Sequence, residues 1–247
     1  KLRVFANPSR RRPAVQFLSN GHYHVMLSSA GGGYSRCNGT AVTRWREDVS
    51  RDNWGMFCYL RDVSSGDFWS AAYQPTLRRT ASYEAIFTDA RAEFRVRERD
   101  FDAHTEIVVS PEDDIELRRL HLTNRARVRR TLELTSYAEV VLAPAIADAL
   151  HPAFSKLFVQ TELVPDKQAI VCIQHRNTAC LALGEQQIGP ITGVCSAQTC
   201  LFRNACRNFC SCHRRFTGGP NCHWTKALRI SIDVSSRPSA LMTDLFD

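Results

Sequence analysis

Between Asn20 and Val171 the chain alternates apolar and polar residues in short runs broken by turn residues. In "AEFRVRE", Ala92, Phe94 and Val96 fall on one side of a pleat and Glu93, Arg95 and Arg97 on the other. Successive side chains of a strand point to opposite faces, so this run reads as a half-buried strand. "HYHVMLSS" alternates and then meets "AGGG", where glycines free the backbone to turn. "MFCYLRDV" and "FWSAAYQP" flank "SSGD", which predicts a hairpin. "SYEAIFTD" and "HTEIVVS" are further strands, and "SPEDD" is a loop.

"IELRRLHLTN" does not obey one phase. Ile115 and Leu117 set one, Leu120 and Leu122 the other. A period of two prevents a regular strand from burying all four on one face. The run therefore predicts a β-bulge at Arg118–Arg119 or a sheet buried on both faces. "RRTLELTSYAEVVL" restores alternation, and "KLFVQTELV" is another strand. Between them, "APAIADALHPAFS" is Ala-rich and bounded by prolines, and reads as a loop holding one helical turn. Nine or ten strands with little helical periodicity predict an all-β protein, a large antiparallel β-sandwich. Rossmann folds and barrels of βα units are excluded on the same ground.

Composition changes this picture at the two ends. With 247 residues and 44% hydrophobic content, the chain can build one large all-β domain or two small ones. The start lacks an initiator Met and the apolar core of a signal peptide, so residues 1–16 read as a cut end or linker. Residues 17–171 form the β-sandwich. After it, residues 172–247 read as an irregular cysteine-rich tail. Eight of the ten cysteines fall between Cys172 and Cys222, acids nearly vanish, and strand periodicity is hard to find. Cys206, Cys210, Cys212, His213, Cys222 and His223 offer zinc ligands, but without paired C-x2-C knuckles. A disulfide module, a shifted reading frame or mis-joined fragment, and an unusual genuine domain end are the other readings.

The net charge of +7 raises nucleic acid or an anionic membrane as partners. Most arginines alternate with acids, as on solvated strand faces, and Arg10–Arg12 form a basic run without acids nearby. Nucleic acid is therefore not expected. No apolar run reaches 18 residues, so no membrane insertion is expected in this segment.

Motifs for chemistry are sparse. There is no G-x-S-x-G elbow, and "AGGGYS" lacks the Lys-Ser/Thr of a phosphate loop. Glycoside hydrolysis needs two facing carboxylates, and spacing selects no pair among Glu47, Asp48, Asp52, Asp62, Glu112, Asp113 and Asp114. No catalytic residue is assigned. His22 and His24 share a strand face but lack an identifiable third ligand, so no metal and no cofactor are expected. The densest chemistry is "RWREDVSRDNWGMFCYLRD", Arg44 to Asp62. Trp45, Trp54 and Trp69 fall within 25 residues, with Tyr34, Tyr59 and Tyr73 nearby in sequence. Flat apolar rings beside Arg, Asp and Asn suit the C–H faces and hydroxyl rims of sugars. Core packing and domain–domain contact are the plainer readings of the same aromatics. On strand parity, Trp45 shares a face with Thr43 and Glu47, and Arg44 with Arg46.

Four long segments carry a resemblance: "SNGHYHVMLSSAGGGYSR", "AVTRWREDVSRDNWGMFCYLRDVSSGDFWSAAYQPT", the stretch from "YEAIFTDARAEFRVRERD" through "LELTSYAEVVLAP", and "HPAFSKLFVQTE". Over about residues 17–171 they resemble the N-terminal β-sandwich, or supersandwich, of glycoside hydrolase family 94. Within it, they look most like the phosphorylase-type region of cyclic β-1,2-glucan synthases. The resemblance implies a sandwich standing ahead of an (α/α)6 barrel that carries the catalytic acid, so this segment alone is non-catalytic. It implies a β-glucan or oligosaccharide and that barrel as partners. It also implies a larger membrane protein, with this part on the cytosolic face of a bacterial inner membrane. Contacts to glycan or barrel are expected from Tyr34, Arg44, Trp45, Arg46, Asp52, Asn53, Tyr59, Arg61, Asp62, Trp69, Tyr73 and Gln74. The family often has tryptophan after "GGGYSR", where this chain has Cys37. The resemblance also expects strands after Ile170, where the cysteine-rich text begins; without them a sheet edge would stay open.

Overall fold

In a computed structural model, the described residues are 1–48, 50–164 and 169–174, together with the backbone of strands at 191–196 and 226–234. The zinc-ligand candidates from Cys206 to His223, and Trp224, lie outside the described residues.

The described residues form four antiparallel sheets. The first contains β1 (Arg3–Phe5), β8 (Ser82–Phe87), β9 (Ala92–Glu98), β10 (Phe101–Val109) and β11 (Glu116–Asn124), in that order. The second runs β13 (Val140–Pro144), β5 (Thr40–Thr43), β4 (Gly33–Cys37), β3 (Tyr23–Ser28), β2 (Val15–Ser19). The third runs β17 (Lys226–Val234), β12 (Arg130–Ala138), β6 (Met56–Asp62), β7 (Phe68–Ser70). The fourth joins β14 (Val159–Val164), β15 (Ala169–Gln174) and β16 (Ile191–Ser196).

One apolar core unites the first three sheets. Phe87, Phe94, Val96, Phe101 and Ile107 enter it from the first, Leu18, Val25 and Leu27 from the second, and Leu60, Trp69, Leu132 and Leu134 from the third. The alternation read in "AEFRVRE" is realised: Ala92, Phe94 and Val96 are buried while Arg95 and Arg97 are exposed. On the outer face, the arginines pair with acids across the strands, as in Arg97–Asp102 at 2.7 Å and Arg91–Glu106 at 3.1 Å.

Several local expectations are corrected. The β10–β11 ladder keeps unbroken register from Phe101↔Asn124 to Val109↔Glu116, so there is no bulge at Arg118–Arg119. The conflict is resolved by exposure instead: Leu120 is buried, while Ile115 and Leu117 lie in solvent. The bulge sits elsewhere, between β13 and β5, where register shifts from Val140 to Ala143 and Leu142 adopts φ +53°. "RRTLELTSYAEVVL" is two strands that belong to two sheets, and β4 and β5 are short strands that the pattern did not resolve. "APAIADALHPAFS" forms two helices, α1 (Ala145–Leu150) and α2 (Pro152–Leu157), meeting at His151. Beyond Cys172, β16 extends the fourth sheet, and β17 pairs with β12 from Arg130↔Val234 to Ala138↔Lys226. The open edge expected there is therefore occupied.

Candidate functional site

The site begins with a turn. Ser28 closes β3, and its hydroxyl accepts the Gly32 N–H at 3.1 Å while its own N–H bonds the Gly32 carbonyl at 2.8 Å. The chain then returns along β4. Gly32 lies so close to the Asp52 carboxylate that any Cβ would collide with it. This position needs glycine to admit the neighbour. Gly33 N–H donates to the Trp54 carbonyl at 2.7 Å, which fixes the 50–55 segment against the turn. On the other side, Gln74 N–H donates to the Ala30 carbonyl at 2.9 Å.

Side chains follow from this backbone. Tyr34, first outward residue of β4, meets Trp45 edge-on at 5.4 Å between ring centroids. The Arg36 guanidinium lies 4.4 Å from the Tyr34 ring centre, and Arg46 lies 5.9 Å from that of Trp54. A closed path of contacts results: Tyr34 to Trp45, along the chain to Arg46, across to Trp54, and through Gly33 back to Tyr34. Cation–π contacts and ring pairs of this kind each contribute about 0.5–1.5 kcal/mol.

Asp52 is the acid of this shelf. Ser28 donates its hydroxyl to the carboxylate. Burial pushes the Asp52 carboxyl above its ordinary range, and the Ser28 hydrogen bond draws it only partly back. Among the described residues, Asp52 forms no ion pair. A half-buried carboxylate without a cation costs stability where it stands, a common mark of a binding position.

Other expected contacts lead elsewhere. Trp69 is 2% exposed and stacks on Phe101 at 5.9 Å, so it is core and not glycan surface. Arg44 is buried. Its Nε donates to Asp148 at 2.8 Å and its Nη1 to Glu139 at 2.6 Å, under α1 and α2. Desolvation opposes its charge, yet Asp148 and Glu139 outweigh that and leave it more firmly protonated than usual. The parity reading of Trp45 fails because β5 ends at Thr43: Thr43 and Arg44 are both buried, and Arg46 is exposed. Asp62 is buried at the end of β6. It takes the Ser64 N–H at 3.0 Å and the Arg130 guanidinium. Burial raises its pKa, but Ser64 and Arg130 together hold it below the carboxylate range. Gln74 is buried and Tyr73 packs against the core. Tyr59 meets Tyr137 edge-on at 6.3 Å, Arg61 reaches Glu133 at 3.2 Å, and Asn53 is exposed. The shelf thus retains Tyr34, Trp45, Arg46 and Asp52, and Asn53 is adjacent to Asp52 in the chain. The expected set lacked Arg36 and Trp54. The spacing "Y-x-R" on a strand, which puts Arg36 on the face of Tyr34, was the available signal.

Metal-ligand geometry occurs in one described group. Glu93 faces Glu106 across the β9–β10 ladder, and His104 Nε2 lies 2.8 Å from Glu93. Arg91, Arg95 and Arg119 already neutralise these acids, so the group is filled by ion pairs. His22 lies in the turn before β3, 3.9 Å from Asp114, and His24 bonds Ser19 at 2.8 Å; both are exposed and engaged separately.

Three antiparallel sheets around one core, with a fourth beside β13, define a large β-sandwich domain. The chain belongs to the glycosyl hydrolase 94 supersandwich-domain family, which matches residues 1–229. It is 44% identical over 165 residues to the cyclic β-(1,2)-glucan synthase NdvB of Rhizobium meliloti (strain 1021), a match covering 66% of this chain and 6% of that protein. It is 26% identical over 164 residues to the N,N'-diacetylchitobiose phosphorylase of Vibrio furnissii, covering 64% of this chain and 20% of the relative. The corresponding enzyme of Vibrio proteolyticus is 27% identical over 141 residues, 55% of this chain and 18% of its own. The chain therefore spans a fifth or less of the curated relatives it matches.

Proposed function

We propose that this domain binds carbohydrate through the Tyr34–Trp45–Arg46–Trp54 shelf and acts in glucan metabolism beside a separate catalytic (α/α)6 barrel, without catalysis of its own. The observation that carries the reading is the closed path of contacts around the glycine turn, with Asp52 left unpaired at its side. The half-buried rings of Tyr34, Trp45 and Trp54 suit sugar C–H surfaces. Arg36, Arg46 and Asn53 supply donors, and Asp52 accepts from hydroxyls. The relationship to a cyclic β-(1,2)-glucan synthase supports a β-1,2-linked glucan as the ligand class. The match covers 6% of that relative, and we further propose a place in a larger protein at the cytosolic face of a bacterial inner membrane. Among the described residues, no helix is long and apolar enough to cross a membrane.

The second reading is a scaffold that touches no sugar. It is favoured by the consumption of Trp69, Arg44 and Asp62 in folding. Titrating the chain with linear β-1,2-gluco-oligosaccharides, followed by tryptophan fluorescence, separates the two. Binding that Trp54→Ala or Arg46→Ala abolishes supports the shelf. A flat titration up to about 10 mM, a concentration that detects even weak sugar contacts, assigns the domain to scaffolding.

A further inference from the structure

Three connections converge at one end of the sandwich: the turn between β2 and β3, the turn between β4 and β5, and the loop between β10 and β11. Asn20 joins the first to the third. Its side-chain oxygen accepts the N–H groups of His22 at 3.0 Å and Tyr23 at 2.8 Å, which shapes the β2–β3 turn. Its amide donates to the Asp113 carbonyl at 2.9 Å and to Asp114 Oδ1 at 3.2 Å, which holds the β10–β11 loop against that turn. The Asn38 N–H donates to the His22 carbonyl at 3.0 Å and draws in the β4–β5 turn.

A mixed set of donors meets there. Cys37, the last residue of β4, puts its Sγ 3.6 Å from Asp114 Oδ2, and His22 puts its Nδ1 3.9 Å from Asp114 Oδ1. Thiolate sulfur, imidazole nitrogen and carboxylate oxygen are the donors that zinc takes from proteins. Around tetrahedral zinc, bonds of about 2.0–2.3 Å set neighbouring donors about 3.3–3.7 Å apart. The Cys37–Asp114 pair already has that spacing, and the Asp114–His22 pair is slightly wider. Each neighbour holds a different carboxylate oxygen, so the set closes when the exposed His22 ring turns inward. The charge balance also differs from that of Glu93 and Glu106. Three arginines neutralise those acids, whereas among the described residues no lysine or arginine pairs with Asp114.

We propose that Cys37, Asp114 and His22 bind a zinc ion, with water as the fourth ligand. On binding, the thiol proton that now faces Asp114 is released to solvent, and thiolate, carboxylate and imidazole share the cation. Asn20 is the positioning residue, because its amide fixes the ligand carboxylate. The sequence pairs His22 with His24 and offers no third ligand. The structure keeps His22, leaves the His24 ring on Ser19, and supplies Cys37 and Asp114 from elements distant in the chain. The ion would tie together three connections now joined by hydrogen bonds. The site stands apart from the glycan shelf and shares no ligand with it.

Protection of Cys37 by zinc tests it. The full 247-residue chain is reduced with a phosphine and alkylated with iodoacetamide in buffers that fix the free zinc concentration, so that cysteines elsewhere do not deplete it. Cleavage after arginine leaves Cys37 as the sole cysteine of the peptide 37–44. At about 10 μM free zinc, alkylation of Cys37 is expected to slow at least about 10-fold, while Cys58 reacts as before. His22→Ala and Asp114→Asn are each expected to raise the zinc needed at least about 10-fold, and His24→Ala to leave it unchanged. Magnesium at about 1 mM is expected to give no protection, because it does not favour thiolate. Hydrogen exchange over residues 20–24 and 113–115 of the unaltered chain is expected to slow with zinc, a readout independent of whether the variants fold. Equal alkylation of Cys37 with and without zinc overturns the proposal. So does protection that His22→Ala and Asp114→Asn both preserve, or that magnesium reproduces, or exchange at 20–24 and 113–115 that ignores zinc.

Discussion

Arg44 and Arg46 are separated by one residue and lie in different environments. Arg44 is buried under α1 and α2 with Asp148 and Glu139. Arg46 is exposed beside Trp54. The same contrast runs through the molecule: Trp69 is sealed in the core while Trp45 and Trp54 stay half-exposed, and Asp62 is paired with Arg130 while Asp52 is unpaired. A segment dense in Trp, Arg and Asp thus divides into an anchoring set and a presenting set. Composition alone does not tell the two apart. The end of β5 and the glycine turn do.

The division can be broken by mutation, and the sets should respond differently. Trp69→Ala empties a fully packed site and should lower stability by about 3–5 kcal/mol in chemical denaturation. Arg44→Ala leaves Asp148 buried without its cation and should cost about 3–5 kcal/mol. If either variant unfolds like the parent, the anchoring set is misassigned. Asp62→Ala removes a buried carboxylate that serves Ser64 and Arg130, with an expected loss of about 1–3 kcal/mol.

Two smaller effects sharpen the contrast by their pH dependence and sign. The Asp62 pKa is lowered in the folded protein, so its stabilisation is present above the ordinary carboxylate range and drains away as pH falls through the lowered value. The Asp52 pKa is raised, so folding favours its neutral form: the contribution is complete below the ordinary range and is lost as pH rises through the raised value. Asp52→Asn keeps an oxygen for Ser28 and removes the charge. It should raise the unfolding midpoint slightly at neutral pH and leave it unchanged near about pH 3, where both side chains are uncharged. A lower midpoint at neutral pH would show Asp52 to be an anchor after all. Trp54→Ala, at the presenting end, is expected to change stability least and glycan titration most.

The sandwich was legible because period-two alternation is a direct record of one buried face, as in Ala92, Phe94 and Val96. The errors have physical reasons too. Ile115 and Leu117 read as core, but a strand end can leave aliphatic residues in water, and folding did not require a bulge. Arg44 read as a presenting residue, since its partner Asp148 lies 104 positions away and no local pattern reveals it. The alternating "LRISIDV" near the C-terminus carried the period-two signal of β17 but was overshadowed by the cysteine-rich text before it. Of the site, the aromatic and arginine types were visible. Their convergence was not, because it depends on Gly32 admitting Asp52.

The pairing of β12 with β17 also sets a timetable for synthesis. Arg130 must wait for Val234, and Ala138 for Lys226, before that ladder can form. At ordinary translation speed, roughly 5–20 s pass between the emergence of the two strands from the ribosome. Throughout that interval a nascent β12 carries an unclaimed row of amides and carbonyls, a natural point for a chaperone to hold the chain.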